Sequence, residues 1–489
     1  MVVLRLLFLL CFVPSFALAE EPSALSAEDA AYPMGALLAP VLEDPVLKGT
    51  TYGVQVVNVR TGEEVYARSG DVAMVPASVN KVLTAAVALK VLGPGHKFST
   101  IISTNAEVDD AGTLLGDLYV RGFGDPTLVS EKLYRLVADL PLMGIKKIQG
   151  DVIFDDSYFD QDWLIAGWGK SLDRRQGPAY YAPISALGVN FGTICMVVAP
   201  AKTVGGKARA EFETPIPMIS LESQVTTGSP RSRTRIEVIR TVTGDKVHFK
   251  LTGTIKQLQA PNRIYKSIAE PRPFFRQMFQ VAMKERGISV SGKYRHGRAP
   301  KGARLVTKMD SDTLGVIAGR MNKHSSNYMA ESLLKAVGAE SGGQPGTTAK
   351  GLVKMSEMLQ AQGNPSDSYT VVNGSGLSRE IMLSASLING LMVQMYLDPM
   401  VGPEFVASMS IGGEDGTLWH RFRKGGHSGR VRGKTGSLSG VYSLTAFVHG
   451  GDGEVYVMTF MTNGIRGGSR KVRALQDRFA GKLLDLPAP

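Results

Sequence analysis

The sequence predicts a mixed α/β (α+β) fold in which helices flank an antiparallel sheet and β-rich domains are inserted into the chain. Strand-like segments occur near both ends of the chain, at 51–58 and 64–67 and at 441–448 and 454–461, together with helix-like segments. From residue 98 to residue 267, short β-rich segments are separated by stretches rich in Gly, Pro and Ser. The chain of 489 residues is also longer than one hydrophobic core usually organises.

The first residues, 1–19, predict a secretory signal peptide. Arg5 is the only charged residue, residues 6–13 form a short apolar core, and Ala17-Leu18-Ala19 offers small residues at the cleavage position. The segment is too short for a membrane span, although an uncleaved anchor is the alternative. We therefore expect an exported, periplasmic protein.

The composition limits the classes of function. Hydrophobic residues make up 44% and charged residues 20% of the chain, which is typical of globular proteins. Cleavage would remove Cys11 and leave Cys195 alone, so no internal disulfide is expected. The formal net charge of +11 suits an anionic matrix outside the cytoplasm, whereas no block of Lys and Arg interleaved with aromatic residues indicates nucleic acid. The histidines show no spacing typical of a metal site.

A buried helix predicted over 78–89 begins with the first candidate catalytic pair. Ser78 and Lys81 are three residues apart and would share a helix face. A lysine acts as a base only when neutral, and burial or a nearby cation would lower its pKa. The spacing recurs at Ser332 and Lys335, in the middle of another predicted helix, so Ser-x-x-Lys alone is weak evidence.

The second motif is Ser325-Ser326-Asn327, in a turn between helices predicted at 312–322 and 326–336. A hydroxyl there could relay a proton, and an amide could hold a substrate carbonyl. The alternative interpretation is a helix N-cap.

The third motif is Lys434-Thr435-Gly436-Ser437, within a glycine-rich segment that reads as a strand. The cation and the hydroxyl could bind a carboxylate, and the glycine would let a substrate approach the strand closely.

The order Ser-x-x-Lys, Ser-x-Asn, Lys-Thr-Gly is the signature of penicillin-recognising serine acyltransferases. The mature chain as a whole resembles the penicillin-binding-protein-4 type of D-alanyl-D-alanine carboxypeptidase/endopeptidase, of low-molecular-mass class C. The resemblance extends to the segments 122–128, 181–183, 373–379 and 433–442. It implies a transpeptidase/β-lactamase-like catalytic domain with inserted domains between the first and second motifs.

The resemblance also implies a division into domains. The expected ranges are a signal peptide at 1–19, a catalytic domain at 20–97 and 268–489, an inserted β-rich domain at 98–165 and 234–267, and a nested domain at 166–233.

The resemblance implies catalytic roles for Ser78, Lys81 and Ser325. Ser78 would attack the penultimate D-alanine carbonyl, Lys81 would act as base, and Ser325 would relay the proton to the leaving amine. The backbone N–H groups of Ser78 and Ser437 would form the oxyanion hole. The implied substrate-binding residues are Asn327, Lys434, Thr435, Gly436, Ser437, Asp155 and Arg379.

The expected ligands are peptidoglycan stem peptides and β-lactam antibiotics, with no metal or other cofactor and a role in wall biogenesis and cell shape. Two alternatives remain open: a β-lactamase or esterase on the same scaffold, and a non-catalytic wall-binding or β-lactam-sensing module. The amphipathic segment 470–484 is interpreted as a helix packed on the sheet, and a peripheral contact with the membrane is the alternative. The sequence makes no prediction of oligomeric state.

Overall fold

The computed structural model describes residues 26–168 and 177–488, so the expected signal peptide at 1–19 lies outside the described residues. The helices are α1 (Ala27–Ala30), α2 (Gly35–Leu38), α3 (Lys81–Leu92), α4 (Ser130–Leu142), α5 (Pro271–Glu285), α6 (Leu314–His324), α7 (Asn327–Gly342), α8 (Thr348–Ala361), α9 (Ala385–Leu397), α10 (Gly402–Ala407) and α11 (Ser469–Leu484). Within the described ranges, no helix has both the length and the apolar character needed to cross a membrane.

The strands are β1 (Thr51–Asn58), β2 (Glu64–Arg68), β3 (Ser99–Thr104), β4 (Thr113–Leu114), β5 (Leu118–Gly122), β6 (Lys147–Ile148), β7 (Val152–Asp155), β8 (Thr193–Ala199), β9 (Arg209–Phe212), β10 (Ile219–Ser223), β11 (Thr226–Gly228), β12 (Arg235–Thr243), β13 (Lys246–Lys256), β14 (Asn262–Ser267), β15 (Ser289–Val290), β16 (Tyr294–His296), β17 (Arg304–Asp310), β18 (Ser410–Ile411), β19 (Val431–Leu438), β20 (Val441–His449) and β21 (Val455–Asn463).

The central sheet has six antiparallel strands in the order β18–β19–β20–β21–β1–β2. The N-terminal hairpin is added to the C-terminal strands, with Thr51 of β1 opposite Asn463 of β21. The predicted antiparallel sheet flanked by helices is therefore present, and both ends of the chain are needed to build it.

Alternate residues of the central strands face two different hydrophobic cores, as the two-residue period of a strand requires. Leu444 and Phe460 pack in the core that contains Phe479 of α11, so the last helix covers one face of the sheet. Phe447 and Val457 pack in the core that contains α3 and α9 on the other face. Helix α3 contacts α6, α7, α8 and α9, and this enclosure explains why its sequence is apolar on all sides.

After α3 the chain leaves the central sheet and the helices packed on it, and it forms two further sheets. A five-stranded sheet has the order β16–β7–β5–β3–β17, and a parallel three-stranded sheet has the order β15–β6–β4. Helices α4 and α5 pack together, and their apolar residues share one core with these strands.

A second pair of sheets is nested within that insertion. Strands β14, β8 and β9 form one sheet, while β10, β13 and β11 form another in which β12 pairs with β13. The predicted hairpin around Gly244 is the β12–β13 pair.

The strand pairing departs from the expected domain boundaries in two places. Strands β13 and β14 lie in the range expected for the outer insertion but pair with β10, β11 and β8 of the nested segment, and β12 pairs with β13. Strands β15, β16 and β17 were assigned to the catalytic domain but pair with β6, β7 and β3 of the insertion. Pairing between distant strands depends on tertiary contacts that local patterns do not record. The division into separate domains stays a prediction.

Helix α7 contains a fully buried cation, Lys335. Its Nζ donates to the Asp160 carboxylate and, at 2.8 Å, to the Asp162 carbonyl oxygen. The pair ties α7 to the segment that follows β7. The second Ser-x-x-Lys copy therefore places its lysine in a structural ion pair.

We expect Lys335→Ala to lower the free energy of unfolding by about 3–5 kcal/mol, because it leaves the Asp160 carboxylate without its cation in a largely buried place. Urea unfolding of the full chain measures the loss. The control is Lys354→Ala, which removes a partly exposed cation from Glu357 on α8 and should cost less than about 1 kcal/mol. Equal losses in the two variants would contradict the prediction.

Candidate active site

Ser78 lies in a 3₁₀ turn, Ala77–Asn80, that leads directly into α3 at Lys81. The predicted helix over 78–89 is thus a 3₁₀ turn followed by an α-helix. The three-residue spacing brings Lys81 Nζ to 3.0 Å from Ser78 Oγ. Ser78 is partly exposed, whereas Lys81 is fully buried. A partly exposed hydroxyl therefore lies beside an amine that is buried away from water.

Two glycines allow other segments to pack directly against this turn. A Cβ on Gly436 of β19 would lie 2.4 Å from the Pro76 carbonyl oxygen, and a Cβ on Gly376 would lie 2.0 Å from that of Ala77. Ala77 itself has a φ of +49°, in the left-handed region that few non-glycine residues adopt. Such a conformation persists only where the surroundings impose it. The two close contacts therefore hold the strained turn from both sides.

Burial controls the ionisation of Lys81. Loss of hydration lowers the pKa of its amine from 10.5 to about 7, and the negative charge of Glu331 acts in the opposite direction. The sequence predicted a lowered pKa from burial or a nearby cation, and burial is the main cause. At neutral pH a large fraction of the amine is unprotonated.

The hydrogen-bond partners of Lys81 suit a neutral amine. Its Nζ lies 2.7 Å from Asn327 Oδ1 and 2.5 Å from the Ser375 carbonyl oxygen. Both oxygens can only accept, and the Asn327 amide is oriented because its Nδ2 donates to the Tyr180 carbonyl at 3.1 Å. A neutral amine has two N–H groups and one lone pair. The two oxygens take the N–H groups, and the lone pair is left for the Ser78 hydroxyl, which can donate.

The segment 373–376 forms a buried turn against α3. Three consecutive carbonyl oxygens of this turn accept hydrogen bonds from side chains at the start of α3. The donors are Asn80 to Asn373 at 3.0 Å, Thr84 to Gly374 at 2.7 Å, and Lys81 to Ser375. The turn therefore holds the amine of Lys81 through the Ser375 carbonyl.

Glu331 of α7 holds the same turn and was missed by the sequence analysis. It is fully buried, and its carboxylate accepts the N–H groups of Gly374 at 3.0 Å and Ser375 at 2.8 Å. Burial raises its pKa, and the hydrogen bonds to Ser375 and Gly374 and the charge of Lys81 lower it. The available signal was an acid in a mostly apolar stretch, one turn after Asn327 and hence on the same face.

Ser325 and Lys434 meet on the other side of the cleft. Ser325 ends α6 in a left-handed conformation, with φ of +54°, directly before α7 begins. Lys434 Nζ on β19 lies 2.9 Å from Ser325 Oγ and 2.7 Å from the Thr435 carbonyl oxygen. Burial, followed by the charge of Lys81, holds the pKa of Lys434 well below its usual value. The two buried lysines therefore disfavour each other's charged forms.

A cleft of about 830 Å³ opens beside these groups. It is lined by Ser78, Ser325 and the segment 435–437, and further out by Trp419, Arg470 and Arg473. The structure thus brings Ser78, Lys81, Ser325, Asn327 and Lys434 together with the strand 434–437.

The two remaining predicted binding residues, Asp155 and Arg379, are not among the residues that line this cleft. Asp155, at the end of β7, is 1% exposed, and its carboxylate accepts the N–H groups of Ser157 and Ala299 and lies 3.5 Å from Arg121. Arg379 is exposed and donates to the Ser439 carbonyl at 2.5 Å, just beyond the end of β19.

The sequence profile described as D-Ala-D-Ala carboxypeptidase 3 (S13) matches residues 34–483 of this chain. The chain belongs to this family. A D-alanyl-D-alanine carboxypeptidase of Actinomadura sp. (strain R39) is 32% identical over 459 residues, which cover 91% of this chain and 83% of the relative. D-alanyl-D-alanine carboxypeptidase DacB of Haemophilus influenzae is 27% identical, over 85% of this chain and 86% of its own.

The solved structure of penicillin binding protein 4 (dacB) from Haemophilus influenzae superimposes with a TM-score of 0.76 and 25% identity. The match covers 90% of this chain and 97% of that chain. The predicted family, the fold class and the enzyme class, a serine-type D-Ala-D-Ala carboxypeptidase, are confirmed.

In this S13 carboxypeptidase, we expect Gly436→Ala to slow covalent labelling by a fluorescent penicillin by at least about tenfold. The added Cβ would overlap the Pro76 carbonyl and push β19 away from Ser78, and small misplacements of reacting groups reduce rates strongly. Single-exponential labelling rates measure the effect.

The matched control is Gly390→Ala in the exposed part of α9, where a Cβ would meet nothing within 4 Å. This variant should label at the rate of the unmodified protein and gain up to about 1 kcal/mol of stability from the better helix former. Unchanged labelling in Gly436→Ala would show that the close contact is not required.

Proposed function

We propose that this serine D-Ala-D-Ala carboxypeptidase and DD-endopeptidase cleaves peptidoglycan stem peptides through an acyl-enzyme on Ser78 and is acylated at the same residue by β-lactams. The observation that carries the proposal is the geometry of Lys81, whose neutral amine has its lone pair available to the Ser78 hydroxyl. A wall-binding module has no use for such a pair.

Acylation begins with proton transfer from Ser78 Oγ to Lys81 Nζ. The serine oxygen then attacks the carbonyl of the penultimate D-alanine. Negative charge develops on that carbonyl oxygen, and the backbone N–H groups of Ser78 and Ser437 are the proposed donors to it. Removal of one such donor typically costs about 3–4 kcal/mol of transition-state stabilisation.

Ser325 is proposed to relay the proton that Lys81 took from Ser78 to the departing amine. Its hydroxyl oxygen lies 2.9 Å from Lys434 Nζ and accepts a hydrogen bond from it. Loss of the amine product completes the acyl-enzyme, and water then releases the acyl group from Ser78. A β-lactam would follow the same route as far as the acyl-enzyme and leave it slowly.

Lys434 and Thr435 are the proposed partners of the substrate's terminal carboxylate. An incoming anion would raise the depressed pKa of Lys434 and so favour its charged form. Gly436 would let the substrate lie along β19, and the Asn327 amide would hold the acyl-side carbonyl. For that contact, the Asn327 Nδ2 must exchange the Tyr180 carbonyl for the substrate.

Arg379 and Asp155 are proposed to recognise the diamino acid of the stem peptide, and Arg379 has the better geometric support. Its guanidinium is exposed beside the end of β19, where a peptide bound along that strand would emerge. Asp155 would have to give up its contact with Arg121 to bind a substrate amine.

The cleft is much larger than a free D-alanine, so it has room for the second stem peptide that an endopeptidase releases. We place the enzyme outside the cytoplasm, in the periplasm, because its substrate lies there and residues 1–19 predict a signal peptide. No cofactor is needed for the proposed steps.

The test of function is incubation of the purified mature protein with a fluorescent penicillin and with a muropeptide ending in D-Ala-D-Ala. Stable labelling together with D-alanine release is expected. Ser78→Ala should abolish both, since no other oxygen is placed beside Lys81 as a nucleophile in the described part of the chain. Ser332→Ala, in the second Ser-x-x-Lys copy, is the control and should retain both activities.

Rapid turnover of the drug would instead identify a β-lactamase. Absence of any product from either substrate would identify a binding module, and labelling that persists in Ser78→Ala would exclude Ser78 as the nucleophile.

The rate of acylation is expected to rise with pH around a midpoint of about 7, because Lys81 must be unprotonated to act as base and its pKa is about 7. The sign follows from the shift: burial lowers the pKa, so the amine is charged and inactive below about 7 and neutral above it. Stopped-flow labelling across pH measures the profile. A rate that starts to rise only near the ordinary lysine pKa would contradict a buried base.

A further inference from the structure

We propose that Glu331 is a positioning residue for Lys81. Its carboxylate anchors the turn 373–376, whose Ser375 carbonyl aligns the amine, and it places the counter-charge beside that amine. This inference rests on the proposed function, since it assigns Glu331 a part in the reaction at Ser78.

The contacts form one continuous path from Glu331 to Ser78. The carboxylate accepts the N–H of Ser375 at 2.8 Å, and the carbonyl of the same residue accepts from Lys81 Nζ at 2.5 Å. The amine in turn lies 3.0 Å from Ser78 Oγ. A movement of the Glu331 carboxylate therefore moves the oxygen that orients the lone pair of Lys81.

Helix α7 holds the amine at two points. Asn327 starts the helix and supplies the second acceptor for Lys81, at 2.7 Å. Glu331 lies one turn further along the same face and acts through Ser375. Both oxygens that take the N–H groups of the neutral amine are therefore positioned by a single rigid helix.

A purely structural role does not explain why the anchor is an acid. Two backbone N–H groups need only acceptor oxygens, whereas a fully buried carboxylate carries a large desolvation penalty unless a cation compensates it. The protonated form of Lys81 lowers the pKa of Glu331, and the charge of Glu331 raises the pKa of Lys81 in return. The acid therefore limits how far burial can depress the basicity of the amine.

The charged and polar groups around Lys81 come from three packed elements. Glu331 faces it from α7, Lys434 faces it from β19, and the turn 373–376 contributes only polar groups. Lys335, one turn beyond Glu331 on α7, is held by Asp160. Removal of the Glu331 charge removes the interaction that opposes burial, so the neutral amine is favoured further.

The experiment measures acylation by a fluorescent penicillin between about pH 5 and pH 9 in the full mature chain. Glu331→Gln keeps one acceptor oxygen and removes the charge. We expect the midpoint of the pH profile to move to lower pH by about one unit. Glu331→Asp keeps the charge but shortens the reach, so we expect the midpoint to stay and the maximal rate to fall.

Glu340→Gln is the matched control, because it is the same substitution on the same helix at an exposed position that accepts from Tyr158. It should change neither the midpoint nor the maximal rate. If Glu331→Gln folds and its midpoint is unshifted, the charge of Glu331 does not set the pKa of Lys81. If Glu331→Asp has the rate of the unmodified protein at every pH, Glu331 does not position the amine. The second test can be made even if Glu331→Gln does not fold.

The proposed function is tested separately from the role of Glu331. It requires that the unmodified protein is labelled and that Ser78→Ala is not labelled, and neither result involves a change at position 331.

Discussion

The burial of one amine beside one hydroxyl is the constraint on which the rest of the site depends. Lys81 is fully buried, so its neutral form is favoured, and two of its three neighbours are oxygens that can only accept. The remaining neighbour, Ser78, can give up a proton. Exposure of the amine would restore its ordinary pKa, and loss of either acceptor would release its orientation.

Several distant segments are needed to enclose that amine. Helix α3 supplies it, α7 and the turn 373–376 supply the acceptors, and β19 closes the cleft with Lys434. The close contacts at Gly376 and Gly436 bring two of these segments against the strained residue Ala77. The central sheet keeps β19 in place, and that sheet is complete only when the N-terminal hairpin pairs with β21. The geometry at Ser78 therefore depends on the whole central sheet and on the helices packed against it.

Local patterns predicted the groups that react and missed the groups that hold them. The spacing of Ser78 and Lys81, the turn at Ser325 and the strand at Lys434 are each contained in a few consecutive residues, and the family signature joined them. Glu331 was missed because its partner, Ser375, is 44 residues away in the chain. The sheet partners of β13 and β15–β17 were not predicted for the same reason, since partner choice depends on contacts between distant strands. Asp155 came from the resemblance alone, and the structure engages it within the insertion.

The charges of the site explain how it can hold an anion and a base together. Lys81 and Lys434 are both buried, and the positive charge of Lys81 lowers the pKa of Lys434, so the two do not readily share two protons. A substrate carboxylate that binds at Lys434 favours a proton there, because opposite charges stabilise each other in a buried place. A protonated Lys434 opposes a proton on Lys81, since like charges disfavour each other. Glu331 has the opposite effect and keeps the amine basic enough to accept a proton from Ser78. Substrate binding at Lys434 and the basicity of Lys81 are thus linked through one set of buried charges.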